Sequence, residues 1–525
     1  MGKPRLPNQK KAYKELSKRL AGYMMRVRNI YDRLNEKAAM LVESVGYDGL
    51  TEFSFDDYPE IERDVKLLLS QFVGELQTLI YSGTSSEWKS SNTFQDAVAD
   101  KALKYYRAQV YGDRFKHYYR DNGDQLKAFL HRKENGLNLS SKLWNQSGNY
   151  KESLEVTIST AIEKGMSATA LSKKLSRYLN DWPSLQADYQ EKYGKATNIH
   201  DCEYRSLRLA RNEISMAYRS AEQARWQQFD FILGYKIKLS DSHPRYDICD
   251  DLTGDYPKDF KFRGWHPNCL CYTVPIVMSE DEYWSDNREN SPNKITAPPK
   301  NFGEWVDKSE NLERIGKANG KGTLPYWLRD NAKIKDCSVL MSKARTYGDA
   351  IQKQAETIAE KYNGIATPIN YKGFSSMYRK LNSEKDMLVS DIKDSVRNTI
   401  VVEKENIGSV VKELQSLSTF NRYKSQTPEK FCGYSGNIIN LKMPNGIQAE
   451  IQVNTPKMIY AKETEANARK ILGNKVWEKI AKETGIQGGL GHKYYEEIRI
   501  LDEVKDRAKI AELIKLSKSY YAHFR

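Results

Sequence analysis

The stretch GYSGNIINLKMPNGIQAEIQVNT, residues 433–455, decides how the second half of the chain folds. Two runs of β-type residues flank Pro444-Asn445-Gly446, a turn signal that predicts an antiparallel hairpin. In the second run Glu450 and Gln452 alternate with Ile451 and Val453, so both polar side chains share one face, opposite the core. Such a face is either a solvated surface or one wall of a site, and the neighbouring segments decide which.

Upstream, SDIKDSVRNTIVV (390–402) sets Asp391 and Asp394 ahead of a strand beginning at Val396 and running through Ile400, Val401 and Val402. One carboxylate entering a strand and a second on a neighbouring strand suit Mg²⁺, a hard cation that takes one or two carboxylates and fills its shell with phosphate oxygens and water. Taken singly, each is equally an ordinary exposed strand residue. In NYKGFSSMYRKL (370–381), Lys372, Ser376 and Lys380 stand at successive i, i+4 positions. If helical, they form one face with two cations around a hydroxyl, a lining for a polyphosphate, although the same spacing is common on solvated helices.

The charge balance points the same way. The 525 residues hold 83 Lys and Arg against 69 Asp and Glu, a net +14. Residues 331–525 hold 33 basic and 23 acidic side chains, so +10 of that excess lies in them. Positive potential of this kind draws polyanions such as nucleotides or nucleic acid, and a solubilising surface is the plain alternative. At roughly 100–200 residues per domain the length implies about three units. No stretch reaches the ~18 uncharged apolar residues of a membrane span. The basic N-terminus lacks an apolar signal core, and Leu6 stands where a myristoylation signal needs Ser or Thr. The expectation is a soluble, unprocessed protein with no membrane partner, made in a cytoplasm.

The first half reads differently. Leu16, Leu20, Tyr23, Val27, Ile30 and Leu34 recur at three-and-four spacing and predict a long amphipathic helix. YRSLRLARNEISMAYRSAEQARW (204–226) predicts another, striped by Leu207, Ala210, Ile214, Ala217, Ala221 and Ala224. Its Arg208, Arg211, Arg219 and Arg225 fall largely off that stripe, which reads as a solvated or partner-facing surface. The prolines, glycines and charges of 280–330 read as a linker.

Six cysteines are too few for a disulfide scaffold in a chain of this length, and three cluster with histidines in HPRYDICDDLTGDYPKDFKFRGWHPNCLC (243–271). Cys249, His266, Cys269 and Cys271 are candidate ligands of a structural Zn²⁺, with His243 an alternative to Cys271; a metal-free cluster of reduced cysteines is the other reading. His266 and Cys269 can converge across Pro267, whereas an extended backbone would point Cys269 and Cys271 to opposite sides.

The ARNEIS helix followed by the D-x-C and HPNCLC segments resembles the head-morphogenesis (Mu F-like) minor head proteins of tailed bacteriophages over residues 1–285, with Leu270 where that family usually has arginine. The resemblance implies a protein at or near the portal, with portal and capsid proteins as partners, located inside the virion and in the host cytoplasm on synthesis or delivery.

K-x-x-x-S-x-x-x-K, D-x-x-D, K-x-x-G-Y and E-I-Q-V-N-T follow in the order and spacing of RelA/SpoT-type alarmone synthetases over about residues 345–470. That resemblance implies that Lys372, Ser376 and Lys380 bind ATP phosphates and that Asp394 and Glu450 hold Mg²⁺, with Glu450 near the attacking hydroxyl. It further implies that Lys430 contacts acceptor phosphate, that Tyr434 stacks on the acceptor base and that Gln452 orders the site. Asn370, Thr399 and Asn454 replace arginines of that family, and the histidine expected after G-Y is absent. The acceptor is thereby open among guanine nucleotides, adenine nucleotides and the 3′ end of tRNA.

The expected fold class is multidomain α+β. A mostly helical head module with a small zinc-knuckle-like segment (1–285) is followed by a linker (286–335) and an α/β mixed-sheet pyrophosphotransferase-like domain (336–525). The function expected is a phage minor head protein carrying a toxin or host-modulating transferase. The alternative is a purely structural head protein with an inactive C-terminal domain.

Overall fold

The computed structural model describes residues 2–108, 112–197, 201–308, 310–313, 325–383, 386–430, 432–499, 501 and 506–525. The chain forms two compact units, Met1–Phe302 with Glu313–Asn331, and Gly303–Leu312 with Ala332–Arg525. Where the sequence reads as a linker, Lys300–Asp307 is helical and Trp327 is buried against Trp265 and Phe302 of the first unit. The Gly/Lys-rich run at 314–324 lies outside the described residues. Among the described residues, no helix is long and apolar enough to cross a membrane.

In the first unit the helix Gln9–Ser44 starts where the Asn8 side chain accepts the Lys11 amide at 3.0 Å, satisfying one of the unpaired amides of the first turn. It buries the stripe from Leu16 to Leu34. The 44-residue helix Glu62–Tyr105 and the helix Cys202–Gln228 share its core. The predicted ARNEIS helix is therefore present, but the reading of its arginines as surface is corrected. Arg208 is exposed, yet Arg219 and Arg225 are buried. Arg225 is held by Asp96 at 2.6 Å, and neighbours on more than one side cover the helix beyond its apolar stripe.

Glu222 on this helix is fully buried and accepts the Tyr13 hydroxyl at 2.7 Å and the Thr273 hydroxyl. Burial pushes its carboxyl from an ordinary 4.5 up to about 7, against the opposing pull of those hydrogen bonds and of Arg219. The folded chain thus holds this proton more tightly than the unfolded one. Its contribution to stability is full below pH 4.5 and is lost as pH rises through 7. Glu222→Gln removes this dependence: the stability gap between wild type and variant should change by roughly 2–3 kcal/mol between pH 5 and 8, in favour of the variant at high pH, measured by denaturant unfolding. A gap independent of pH would refute the buried-acid assignment.

The helix leads into an antiparallel sheet of order β2-β1-β3, with β1 Ile232–Lys238, β2 Gly254–Tyr256 and β3 Tyr272–Val277.

The second unit is built on a mixed sheet of order β4-β6-β9-β8-β7, with β5 also on β6. The strands are β4 Ile365–Ala366, β5 Asn370–Tyr371, β6 Val396–Val401, β7 Phe420–Gln426, β8 Gly436–Lys442 and β9 Gln448–Asn454. The β8–β9 hairpin turns at Gly446, as its Pro-Asn-Gly predicts. β6 and β9 are parallel, pairing Arg397 with Glu450 and Thr399 with Gln452. On one face Val396, Ile400, Ala449, Ile451 and Val453 are buried; the other face carries the polar residues. The helix Ala332–Lys361 lies on β6 and buries Leu340, Ala344, Ile351 and Ala355 at helical spacing.

Candidate functional site

Asp394 stands two residues before β6, and Glu450 lies on the adjoining β9, so the parallel pairing brings together carboxylates from distant parts of the chain. Lys372 Nζ reaches Asp394 Oδ2 at 2.5 Å, and Lys380 Nζ stands 3.7 Å from Oδ1. Burial of Asp394 acts to raise its pKa. The Lys372 hydrogen bond and the charges of Lys372, Lys380 and Arg397 outweigh it and hold the carboxyl below its ordinary value. Gln452 Nε2 donates to Glu450 Oε1 at 2.7 Å, fixing that carboxylate.

The predicted single helical face of Lys372, Ser376 and Lys380 is corrected. The helix is Phe374–Ser383, and Lys372 precedes it in extended chain, its amide bonded to Ser395 O at 3.0 Å. The helix begins late because the Phe374 amide is capped by Asp307 at 2.7 Å. Both lysines nonetheless converge on Asp394.

Two cavities flank this row. One, of about 640 Å³, is lined by Asp394 and Glu450 with Lys380, Lys393, Arg422 and Lys424. The other, of about 650 Å³, is lined by Lys372 and Gln452 with Arg345, Arg397, Lys462 and Lys470. Asn370 and Thr399, where the alarmone synthetases carry arginines, line the second cavity too. Sequence reading missed Arg345 and Arg397, which place guanidinium groups in the same space. Arg397 had a signal, since it stands two residues before Thr399 and so shares its face of β6.

Asp394 Oδ1 is a buried oxygen without a hydrogen-bond partner, on a residue that lines the same cavity as Glu450. That oxygen and the Glu450 carboxylate fit a hard divalent cation.

Ser376, Lys430 and Tyr434 line neither cavity. Lys430 is exposed between β7 and β8. Tyr434 receives a 2.6 Å hydrogen bond from Asn454 Nδ2, and the edge of Tyr521 meets its ring at 5.6 Å. The helix Arg507–Ala522 pins this loop: Ser517 Oγ donates to Cys432 O at 2.7 Å, and Arg525 donates to Gly433 O at 3.0 Å. Gly433, at φ +95°, has no room for a side chain, because a Cβ would stand 2.6 Å from Lys518 Cα.

In the first unit, the sulfurs of Cys249, Cys269 and Cys271 lie within 4.8 Å of one another. Cys249 Sγ is 3.7 Å from Cys269 Sγ and 3.1 Å from His266 Nε2. Cys269 and Cys271, expected to diverge in an extended chain, converge, since 269–271 precede the strand and are not extended in a ladder. The Pro267-Asn268 turn, with Asn268 at φ +66° and the Cys269 amide on His266 O at 3.1 Å, brings His266 beside Cys269. His243 is engaged by Asp250 at 2.9 Å.

No family model matches the chain. A stretch of 183 residues, 34% of the chain, is 35% identical to the "(p)ppApp synthetase toxin Tas1" of Pseudomonas aeruginosa (strain UCBPP-PA14), and spans 41% of that protein. The chain thus spans less than half the length of the curated relative it matches. A solved structure, "Crystal structure of the complex between the Type VI effector Tas1 and its immunity protein", contains a chain 34% identical to this one; the match covers 36% of this chain and 97% of that one, with a TM-score of 0.33. About a third of the chain is therefore similar to a synthetase toxin.

Proposed function

We propose that the second unit transfers pyrophosphate from ATP to a hydroxyl of an adenine nucleotide and acts as a toxin. The observation that carries this reading is the row Lys372–Asp394 and Glu450–Gln452 running between two cation-lined cavities. The 183-residue similarity supports it, its length being close to that of Ala332–Arg525. The name of that relative favours adenine over guanine in the acceptor, and the loss of arginines at Asn370, Thr399 and Asn454 weakens adenine stacking and guanosine-phosphate contacts alike.

The reaction joins the acceptor hydroxyl oxygen to the β-phosphorus of ATP, breaks the α–β bridge and releases AMP, with the hydroxyl proton passing to a base. Glu450, held by Gln452, is that base. Lys372, Arg345 and Arg397 neutralise the phosphates in one cavity, and Lys380, Lys393 and Arg422 do so in the other. Magnesium, held by Asp394 and Glu450, would supply further charge neutralisation on the transferred group.

The first unit is read as a phage minor head (Mu F-like) module that carries the toxin to the portal and capsid; the ARNEIS helix and the HPNCLC knuckle support this. A cell making such a toxin needs a protein that blocks the second unit.

The test is the full chain with labelled ATP, Mg²⁺ and, in parallel, ADP, GDP or uncharged tRNA. The expected result is AMP release with a pyrophosphorylated adenine nucleotide as product. A pyrophosphorylated GDP or tRNA alone would overturn the acceptor assignment, and no AMP release with any acceptor would overturn the enzyme.

A further inference from the structure

We propose that the Asp247–Cys271 segment of the first unit is a structural zinc site whose four ligands are Cys249, His266, Cys269 and Cys271. The inference is independent of the transferase reading.

Zinc holds sulfur at about 2.3 Å and imidazole nitrogen at about 2.0–2.1 Å in a tetrahedron. Two sulfurs on one ion therefore stand about 3.8 Å apart, and a sulfur and a nitrogen about 3.6 Å. The Cys249–Cys269 separation of 3.7 Å is such a tetrahedral edge. The His266 approach to Cys249, at 3.1 Å, needs the ring to back away by about half an ångström. All three cysteines are buried, and a site closed by four protein ligands is structural rather than catalytic.

The surroundings orient the fourth ligand. His266 Nδ1 lies 2.7 Å from Pro267 O, a carbonyl that can only accept, so the ring proton sits on Nδ1 and the Nε2 lone pair faces the sulfurs. His243 also lies with Asp247 and Cys249 close enough to share an ion, but its Nε2 is already bonded to Asp250 at 2.9 Å, which favours His266. Asp247 does approach His266, at 3.3 Å, but its other oxygen caps the Cys249 amide at 2.7 Å, which makes it a support for the loop.

Arg219 supplies a second, independent observation. It is buried and donates to Arg263 O, Cys269 O and Cys271 O at 3.0, 2.8 and 2.9 Å. Among the described residues it has no ion pair with a carboxylate. A buried guanidinium is costly without a counter-charge. Glu222 feels the Arg219 charge, but burial pushes that carboxyl up to about 7, so it is only a partial counter-charge. Zinc with three thiolates and a neutral imidazole carries a charge of −1 and supplies one directly behind the carbonyls that Arg219 binds. Gly264 lets this happen: a Cβ there would stand 3.0 Å from Arg219 Nη1 and 3.1 Å from Cys269 Cβ.

The experiment is zinc analysis of the full chain purified in reductant without chelator, together with Cys269→Ser, His266→Ala and Asp247→Asn. About one equivalent is expected in wild type and in Asp247→Asn, and less than about a tenth in the other two. Should those two fail to fold, replacement of zinc by Co²⁺ in the wild type decides: intense visible bands of tetrahedral cobalt with a sulfur-to-metal charge-transfer band are expected. Substoichiometric zinc without those bands overturns the site. Zinc retained by His266→Ala and lost by Asp247→Asn overturns the ligand set.

Discussion

Glu450→Gln should lower kcat for AMP release by about 10²–10⁴-fold while leaving the KM for ATP within a few-fold of wild type. The substitution preserves shape, and its amide can still meet Gln452, the partner that holds Glu450 at 2.7 Å. What disappears is the carboxylate charge, and with it both the capacity to accept the hydroxyl proton as the bond to phosphorus forms and one anionic ligand for the divalent cation. The cationic walls on either side stay in place, so nucleotide affinity is retained. Steady-state AMP release with saturating acceptor measures the effect, and growth arrest on expression should fall with it. A variant within threefold of wild-type kcat would remove Glu450 from the proton transfer.

The second large effect is at Asp394. Its carboxylate stands between Lys372 and Lys380 and holds the unpartnered buried oxygen that a divalent cation would use. Asp394→Asn leaves two lysines facing each other across a neutral amide. A fall in kcat/KM on the order of 10³-fold is expected, several kcal/mol of charge stabilisation on the phosphates being lost together. Because Asp394 and Lys372 are each 18% exposed, the accompanying loss of stability is smaller than for a sealed ion pair, about 1–3 kcal/mol. The carboxyl is held below its ordinary 3.8, so its share of wild-type stability is present above that pH and is lost as pH falls through the lower folded value. Denaturant unfolding at pH 7 and pH 3 separates the two effects: the stability gap between wild type and variant should narrow at pH 3. A gap unchanged at pH 3 would mean that the pair with Lys372 contributes nothing in the folded chain.

How far the sequence reveals this site differs from one element to the next. The hairpin, the strand after Asp394 and the shared face of Glu450 and Gln452 follow from local rules, and the strands obey them. The position of Lys372 does not. Its i, i+4 spacing is helical, but the helix begins two residues later, where Asp307, 67 residues upstream, caps it. A contact over that distance leaves no local trace. The buried Arg219 and Arg225 went unread for a related reason: periodicity shows which face is apolar, whereas burial depends on how many neighbours surround the helix. The approach of His266 to Cys269 did have a signal, Pro267-Asn268, a turn dipeptide whose asparagine accepts the left-handed conformation.

The residues that divide the two units also bear on how such a chain can be cut and recombined. Gly303–Leu312 belongs to the second unit, while Glu313–Asn331, which follows it, belongs to the first. A junction at residue 332 would hand on the strands and both carboxylates but leave behind Asp307, and with it the start of the helix that carries Lys380. A junction before Gly303 transmits the Asp394–Glu450 row with its own cap and takes Trp327 away from Trp265 and Phe302. Neither single crossover separates the halves cleanly. An exchange of the second unit between related genes is therefore expected to succeed only where donor and recipient agree on this interleaved stretch.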